Sequence, residues 1–389
     1  METKKYKLSE ISLNVTDGEH GTVKDDNNGN YFLLSCKNIK NGLINITSNE
    51  RKINEESFYK IQKRIKLEKN DVLITTVGTI GEMAIIEDEN INYCFQRSVG
   101  IIKPNKELVN PYFLYYSLRN ELGQIATLIK GAVQKCLFIN DMKMIEVSLP
   151  DLKTQNKMVK VLQNIDKKIK LNDEINNNLY EMCNVLYHQL LDDNESNIEY
   201  KTIGEIAKKV ITGKTPSTKN KEYWGGNIPF ITIPDMHNQV FTINTERYIT
   251  NEGAKSLIPK NSISVSCIAT VGLVSINDKV SQTNQQINSI VIENDYDLYY
   301  LFEFLTEQEQ YMKSIAGGST TYNINKNTFE NIQVPYLNKE LIIEYDKKVR
   351  PMFEKIKSNQ ISNDILSQLR DILLPKLMNG EIDLDNIEI

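Results

Sequence analysis

Histidine and tryptophan are scarce in this chain: three histidines (His20, His188 and His237) and one tryptophan in 389 residues. No histidine stands at ligand spacing from other metal-binding side chains or beside a nucleophile, so neither a zinc centre nor a His-activated hydrolase is expected. Cysteine is as sparse. Cys36, Cys94, Cys136, Cys183 and Cys267 are odd in number, scattered and free of any CxxC pair, which excludes a disulfide framework and fits a reducing, cytoplasmic setting. No apolar run approaches the roughly 20 residues needed to cross a bilayer, and Met1-Glu2-Thr3-Lys4-Lys5 leads into none, so neither export nor a membrane partner is expected.

Cofactor and nucleotide motifs are missing too. Gly213-Lys214-Thr215 lacks the upstream glycine loop of a phosphate cradle, with Lys208 where its first glycine would stand. Asn110-Pro111-Tyr112-Phe113 lacks the second proline of an amino-methyltransferase motif, and is better read as a helix N-cap followed by proline at the first helical position. Pro234-Asp235 is followed by no Glu-x-Lys at nuclease spacing. The chain is therefore expected to be no enzyme, and to hold neither a metal nor a cofactor of its own.

What is present is written twice. Tyr6-Lys7-Leu8-Ser9-Glu10-Ile11 returns as Tyr200-Lys201-Thr202-Ile203-Gly204-Glu205-Ile206. Thr79-Ile80-Gly81 answers to Thr270-Val271-Gly272, Gln96 to Gln285, Ile139-Asn140 to Ile324-Asn325, and Leu149-Pro150 to Val334-Pro335. Two units of about 190 residues fit the usual size of a domain, and a doubled unit predicts a pseudo-two-fold molecule suited to a target in two parts. β-branched alternation predicts strands over 71–78, 100–102, 262–268 and 288–292. Helical spacing predicts helices over 110–118 and 298–305, with their aromatics in the core.

Each copy closes in a long helical segment. Met158, Leu162, Ile165, Ile169, Asn172, Asn176, Leu179, Cys183, Leu186 and Leu190 alternate four-then-three spacings, as in a coiled-coil seam. The pattern recurs in step at Tyr345, Val349, Met352, Ile356, Asn359, Asn363, Leu366, Arg370, Leu373 and Leu377. Asn172, Asn176, Asn359 and Asn363 interrupt both seams at the same places, and are read either as a solvent gap or as a register lock between the helices. Pro351 and Pro375 predict a kink or restart in the second helix.

The polar loops are placed alike in the two copies. Asp17 to Thr22, with His20 and Thr22, answers to Ile211 to Ser217, with Thr212, Lys214 and Thr215. Thr75 to Gly81, with Thr75 and Thr79, answers to Cys267 to Gly272, with Thr270. Gln96-Arg97-Ser98 answers to Gln285-Gln286, and Gly131 to Lys135, with Gln134 and Lys135, to Gly317 to Thr321, with Ser319 and Thr320. Such loops supply hydroxyls, amides, a guanidinium and backbone N–H groups for phosphates and base edges. A net charge of −5 argues against a protein that coats nucleic acid but leaves room for local basic faces, such as Lys60, Lys63, Arg64 and Lys66, or Lys208, Lys209, Lys214, Lys219 and Lys221.

Over nearly its whole length the sequence resembles the DNA-specificity subunit of type I restriction-modification systems. The resemblance rests on the opening Lys-Leu-Ser-Glu-Ile, on Asp17-Gly18-Glu19-His20-Gly21-Thr22 followed by Cys36-Lys37-Asn38-Ile39-Lys40-Asn41-Gly42, and on Asn70-Asp71-Val72-Leu73 leading to Thr79-Ile80-Gly81. Leu149-Pro150 before the first helix and Leu373-Leu374-Pro375-Lys376-Leu377-Met378-Asn379-Gly380-Glu381-Ile382 complete it. The second copy departs from the fuller opening pattern, with Thr212-Gly213-Lys214-Thr215-Pro216 in place of Asp17 to Thr22.

The resemblance implies an α+β architecture: two similar mixed α/β target-recognition domains, at 1–150 and 198–337, joined by two long helices packed as an antiparallel coiled coil. The first spacer helix would occupy 151–197, and the second helix with the C-terminal tail 338–389. It adds Lys37 and Asn38 to the DNA-binding candidates. It implies double-stranded DNA with a bipartite site as the target, two DNA methyltransferase subunits that bind S-adenosylmethionine as partners, and a restriction/translocase subunit that uses ATP and magnesium. A helix of about 40 residues spans about 60 Å, enough to hold two readers at least one DNA turn of about 34 Å apart. The alternatives from other classes are the DNA-recognition part of a combined methyltransferase-nuclease, whose catalytic motifs the chain lacks, and a repeat-built interaction adaptor without nucleic acid.

Overall fold

The computed structural model describes residues 2–382 apart from residues 48, 132–133, 238 and 318–321. The chain divides into two compact units, Met1–Asp166 with Ser367–Ile389, and Lys167–Leu366. The division departs from the domain limits read from sequence, because each long helix gives its two ends to different units. Among the described residues no helix is long and apolar enough to cross a membrane.

In the first unit the strand Lys4–Lys7 pairs antiparallel with Glu146–Leu149, tying the start of the chain to the strand that leads into the first long helix. The main sheet is antiparallel, in the order Ser12–Asp17, Val99–Pro104, Val72–Thr75, Met83–Ile85. Successive strand residues point to opposite faces. Val72 and Ile74 pack with Phe113, Leu114 and Tyr116 of the helix Pro111–Asn120. Leu73, Ala84 and Ile101 pack instead with Leu34, Tyr93 and Phe95 beneath a smaller sheet. With both faces covered, the strands Val72–Thr75 and Met83–Ile85 read as nearly continuous apolar runs, while the edge strand Ser12–Asp17 does not. Asn110 caps the helix, its Oδ1 accepting from the Tyr112 and Phe113 amides, with Pro111 at the first position.

The second unit repeats this plan with an extra strand, in the order Ala207–Thr212, Ile287–Ile292, Ile263–Ser266, Val274–Asn277, Phe241–Thr242. Its helix Asp297–Thr306 is buried along nearly all its length. The two openings correspond by hydrogen bonding rather than by letter. The Lys7 amide donates to Glu10 Oε2 and the Thr202 amide to Glu205 Oε2, so Lys7 matches Thr202 and Tyr6 matches Lys201. The expected match of Tyr6 with Tyr200 is shifted by one residue.

The long helices are Leu152–Asp193 and Lys339–Met378. Within the second unit their segments run antiparallel. Asn172 Nδ2 donates to Asn363 Oδ1 at 2.7 Å, Asn359 Nδ2 to Asn176 Oδ1 at 2.8 Å, and Cys183 Sγ lies 3.6 Å from Met352 Sδ. Asn363 Nδ2 also donates to Asp173 Oδ1 at 2.7 Å. Within the first unit Arg370 Nη1 donates to Asp166 Oδ1 at 2.9 Å, and Met158 and Leu162 share a core with Leu374 and Leu377. The second helix is continuous through Pro351 and Pro375, so it does not restart at either. Both prolines are exposed, as are Lys347 and Asp371 four residues earlier, so the carbonyls that lose a donor can turn to water.

Candidate nucleic-acid interface

In the first unit several polar loops meet at one end of the main sheet, where Ser12–Asp17 and Val72–Thr75 end and Val99–Pro104 begins. Backbone hydrogen bonds stitch them together: Gly18 N to Val99 O at 3.0 Å, Glu19 N to Phe95 O at 2.7 Å, and Arg97 N to Glu19 O at 3.0 Å. Thr76 N donates to Ser98 O and Leu137 N to Thr76 O, each at 2.9 Å. Lys130 and Cys136 exchange backbone hydrogen bonds at 3.0 and 2.8 Å, closing the loop that carries Gln134 and Lys135. Position 18 must be glycine, since a Cβ there would stand 2.2 Å from Phe95 O.

The second unit repeats the stitching. Gly213 N donates to Ile287 O at 3.1 Å, Lys214 N to Thr283 O at 2.9 Å, Cys267 N to Gln286 O at 2.8 Å and Ile324 N to Cys267 O at 2.9 Å. Gly317 and Asn323 exchange the pair of bonds that Lys130 and Cys136 make. Val99 faces Thr75 as Ile287 faces Ser266. Counting back from Val99 and Ile287, Gln96 therefore matches Asn284, and Arg97 matches Gln285. The expected match of Gln96 with Gln285 is off by one, and Glu19 answers to Lys214.

Local charge holds these loops. Glu19 Oε1 accepts from the Gly21 amide at 2.6 Å, and Arg64 Nη2 reaches Gly18 O at 2.8 Å and Glu19 Oε2 at 3.3 Å. The Gly21 amide, with Arg64 and His20 beside it, holds the Glu19 carboxyl below its usual value despite some desolvation. His20 Nε2 lies 2.8 Å from Asp17 Oδ2, and Lys37 pairs with Glu50 at 3.0 Å.

The predicted residues divide into three groups. Arg97, Gln134, Lys135, Thr22, Thr79 and the ion-paired His20 and Lys37 in the first unit, and Lys214, Thr215, Thr270 and Gln285 in the second, are exposed. Gln96, Thr212 and Gln286 are half-buried, with Thr212 Oγ1 donating to Asn288 Oδ1 at 2.7 Å and Gln286 bonded to Asn284. Asn38 and Thr75 are spent inside the fold. Asn38 takes the Ser35 amide and donates to Asn45 O, while Thr75 Oγ1 donates to Thr79 O and accepts from the Glu82 amide. Ser319 and Thr320 lie outside the described residues.

Two features escaped the sequence reading. Arg64, at the end of the helix Glu55–Arg64, braces a loop 46 positions earlier in the chain. Arg247 stacks 5.0 Å from the Trp224 ring centroid, and Trp224 Nε1 donates to Ser217 O at 3.2 Å, which sets an aromatic–cation pair beside the 213–217 loop. Arg64 was visible only as one of a basic cluster.

The sequence pattern of the type I restriction modification DNA specificity domain matches residues 9–181 and again residues 195–370. The chain belongs to the type I restriction-modification DNA specificity family. The HindI specificity subunit of a type I restriction enzyme from Haemophilus influenzae is 32% identical, over 82% of this chain and 88% of its own. The MjaIX specificity subunit from Methanocaldococcus jannaschii is 36% identical over 40% of each chain. The crystal structure of the S subunit of a type I restriction-modification system from M. genitalium has the same fold, with a TM-score of 0.58 at 16% identity over 97% of this chain and 96% of that one. This specificity subunit thus carries its specificity domain twice, and each matched range runs from the loop cluster of one unit into a long helix.

Proposed function

We propose that this specificity subunit is the non-catalytic DNA reader of a type I restriction-modification enzyme. Each loop cluster takes one half of a bipartite duplex site, and the long helices carry two methyltransferase subunits that bind S-adenosylmethionine. A restriction/translocase subunit using ATP and magnesium joins them. The observation that carries this reading is the recurrence of one stitched loop framework with different exposed side chains, the arrangement that two related but distinct half-sites call for. With a net charge of −5 the chain leaves much of the phosphate neutralisation to its partners.

The test is methylation-sensitive sequencing of DNA exposed to the chain with its methyltransferase partner. One bipartite motif is expected, and none from the chain alone. Replacing residues 131–135 should relax only the first half-site, and replacing residues 317–321 only the second, by about tenfold or more. Methyl transfer by the isolated chain, or equal relaxation of both halves, contradicts the proposal.

A further inference from the structure

The two loop clusters share a backbone and differ in the side chain that each presents at one matched position. In the first unit that position is Arg97, exposed and without an ion pair among the described residues. Its backbone is held on both sides, the amide donating to Glu19 O at 3.0 Å and the carbonyl accepting from Thr76 Oγ1 at 3.2 Å. In the second unit the position is Gln285, also exposed. Thr215 Oγ1 donates to Gln285 Oε1, which turns the amide oxygen toward Thr215 and leaves its second lone pair and the NH2 group unspent. The neighbouring backbone is pinned through Asn284 N to Ile231 O at 3.1 Å and Cys267 N to Gln286 O at 2.8 Å.

Other polar groups at these faces are less free to read bases. His20, Lys37 and Lys130 are tied to Asp17, Glu50 and Asp141. Lys214 offers a compact charge suited to a phosphate. Arg97 offers the planar fork that matches the two acceptors of guanine, O6 and N7. Gln285 offers one donor and one acceptor, which match N7 and N6 of adenine.

We propose that Arg97 and Gln285 are the matched base-reading positions of the two domains, Arg97 selecting guanine in the first half-site and Gln285 adenine in the second, with Thr215 positioning the Gln285 amide. This rests on the DNA-reading function proposed above.

The experiment uses the full chain assembled with its methyltransferase partner, methylation sequencing, and competition binding with duplexes permuted at each position of the site. The wild-type complex must first yield a bipartite motif; if it does not, the DNA-reading function itself fails. Given that motif, Arg97→Gln should lower the guanine preference at one position of the first half-site by about tenfold or more and favour adenine there, leaving the second half-site unchanged. Gln285→Arg should do the converse in the second. Arg97→Lys, which keeps the charge and loses the fork, should flatten discrimination at that position while the salt dependence of binding stays the same. Thr215→Val should weaken the adenine preference several-fold without changing which base is preferred. An unchanged motif in Arg97→Gln and Gln285→Arg overturns the inference. So does uniform weakening over all sequences with a shallower salt dependence, which marks a phosphate contact.

Discussion

Asn176 and Asn359 put a measurable quantity on the helix register. Asn359 Nδ2 donates to Asn176 Oδ1 at 2.8 Å, with Asn359 3% and Asn176 8% exposed. Replacing Asn176 alone by leucine strands the Asn359 amide in a dry seam, where an unmet polar group costs about 1–3 kcal/mol. The added leucine returns part of that through burial, since a fully buried leucine is worth about 1.5–3 kcal/mol relative to an exposed one. Asn359→Leu alone behaves likewise. The double variant removes both polar groups and gains two buried leucines, so it should equal or exceed the parent in stability. Because each single variant strands one amide and the double strands none, the double-mutant cycle should then show a coupling of about 2 kcal/mol or more. Urea unfolding followed by a probe in the second unit measures it. A leucine seam tolerates more than one register, so the proposed complex carrying the double variant should methylate sites with a mixture of unread gaps where the parent complex is expected to use one. Single variants whose losses add to within about 0.5 kcal/mol in the double would refute the pairing argument.

Glu303 is fully buried, with Oε1 unpartnered and Asn184 Nδ2 3.5 Å from Oε2; burial pushes its carboxyl up to about 8 from 4.5. As pH rises the unfolded chain releases this proton first, so the second unit should lose stability between about pH 4.5 and 8, by roughly 1.4 kcal/mol for each tenfold fall in proton concentration, and then level off. Glu303→Gln should flatten that fall and raise the melting temperature at pH 8, and an unchanged pH profile argues against it. Ala269 holds φ +65° where the matching Gly78 holds +76°. Ala269→Gly should therefore stabilise by about 0.5–1 kcal/mol, with denaturant midpoints as the readout and a loss of stability as the contrary result. Inserting four residues after Asn176 and four after Asn363 adds about 6 Å to each helix. The methylated motif should then keep both half-sites and widen its gap by one or two base pairs, and a retained gap excludes a helical ruler.

Regular periodicity made much of the fold legible. The four-then-three spacing identified both long helices because a seam repeats its demand every turn or two, and the paired asparagines showed against that background. The strand at 71–78 was visible because both faces of its central residues Val72, Leu73 and Ile74 are apolar, and that at 262–268 because Ile263, Val265 and Cys267 alternate with serines. What local letters hide is anything decided by a partner distant in sequence. The helix does not restart at Pro351 or Pro375, and each falls on its exposed side; which side that is depends on packing. Asn38 and Thr75 have the chemistry of DNA contacts, yet each is spent on its own turn.

The loop register is the most instructive departure. Gln96 and Gln285 share a letter, but Glu19 bonds to Phe95 and Lys214 to Thr283, and that framework sets Arg97 against Gln285. If the loops serve different half-sites, as proposed, identity of letters is a poor guide in them, because reading different bases needs different side chains on one hydrogen-bonded backbone. In such a duplicated reader the matched positions most worth testing are those where backbone bonding agrees and side-chain chemistry differs. Glu19 against Lys214 meets that condition by its own amide bond, and Arg97 against Gln285 by the bonds that flank it, Gln96 N to Leu34 O matching Asn284 N to Ile231 O. Glu19 is already bound to Gly21 and Arg64, so its acidity goes to shaping the loop, whereas Arg97 and Gln285 keep hydrogen-bonding groups unspent for a ligand.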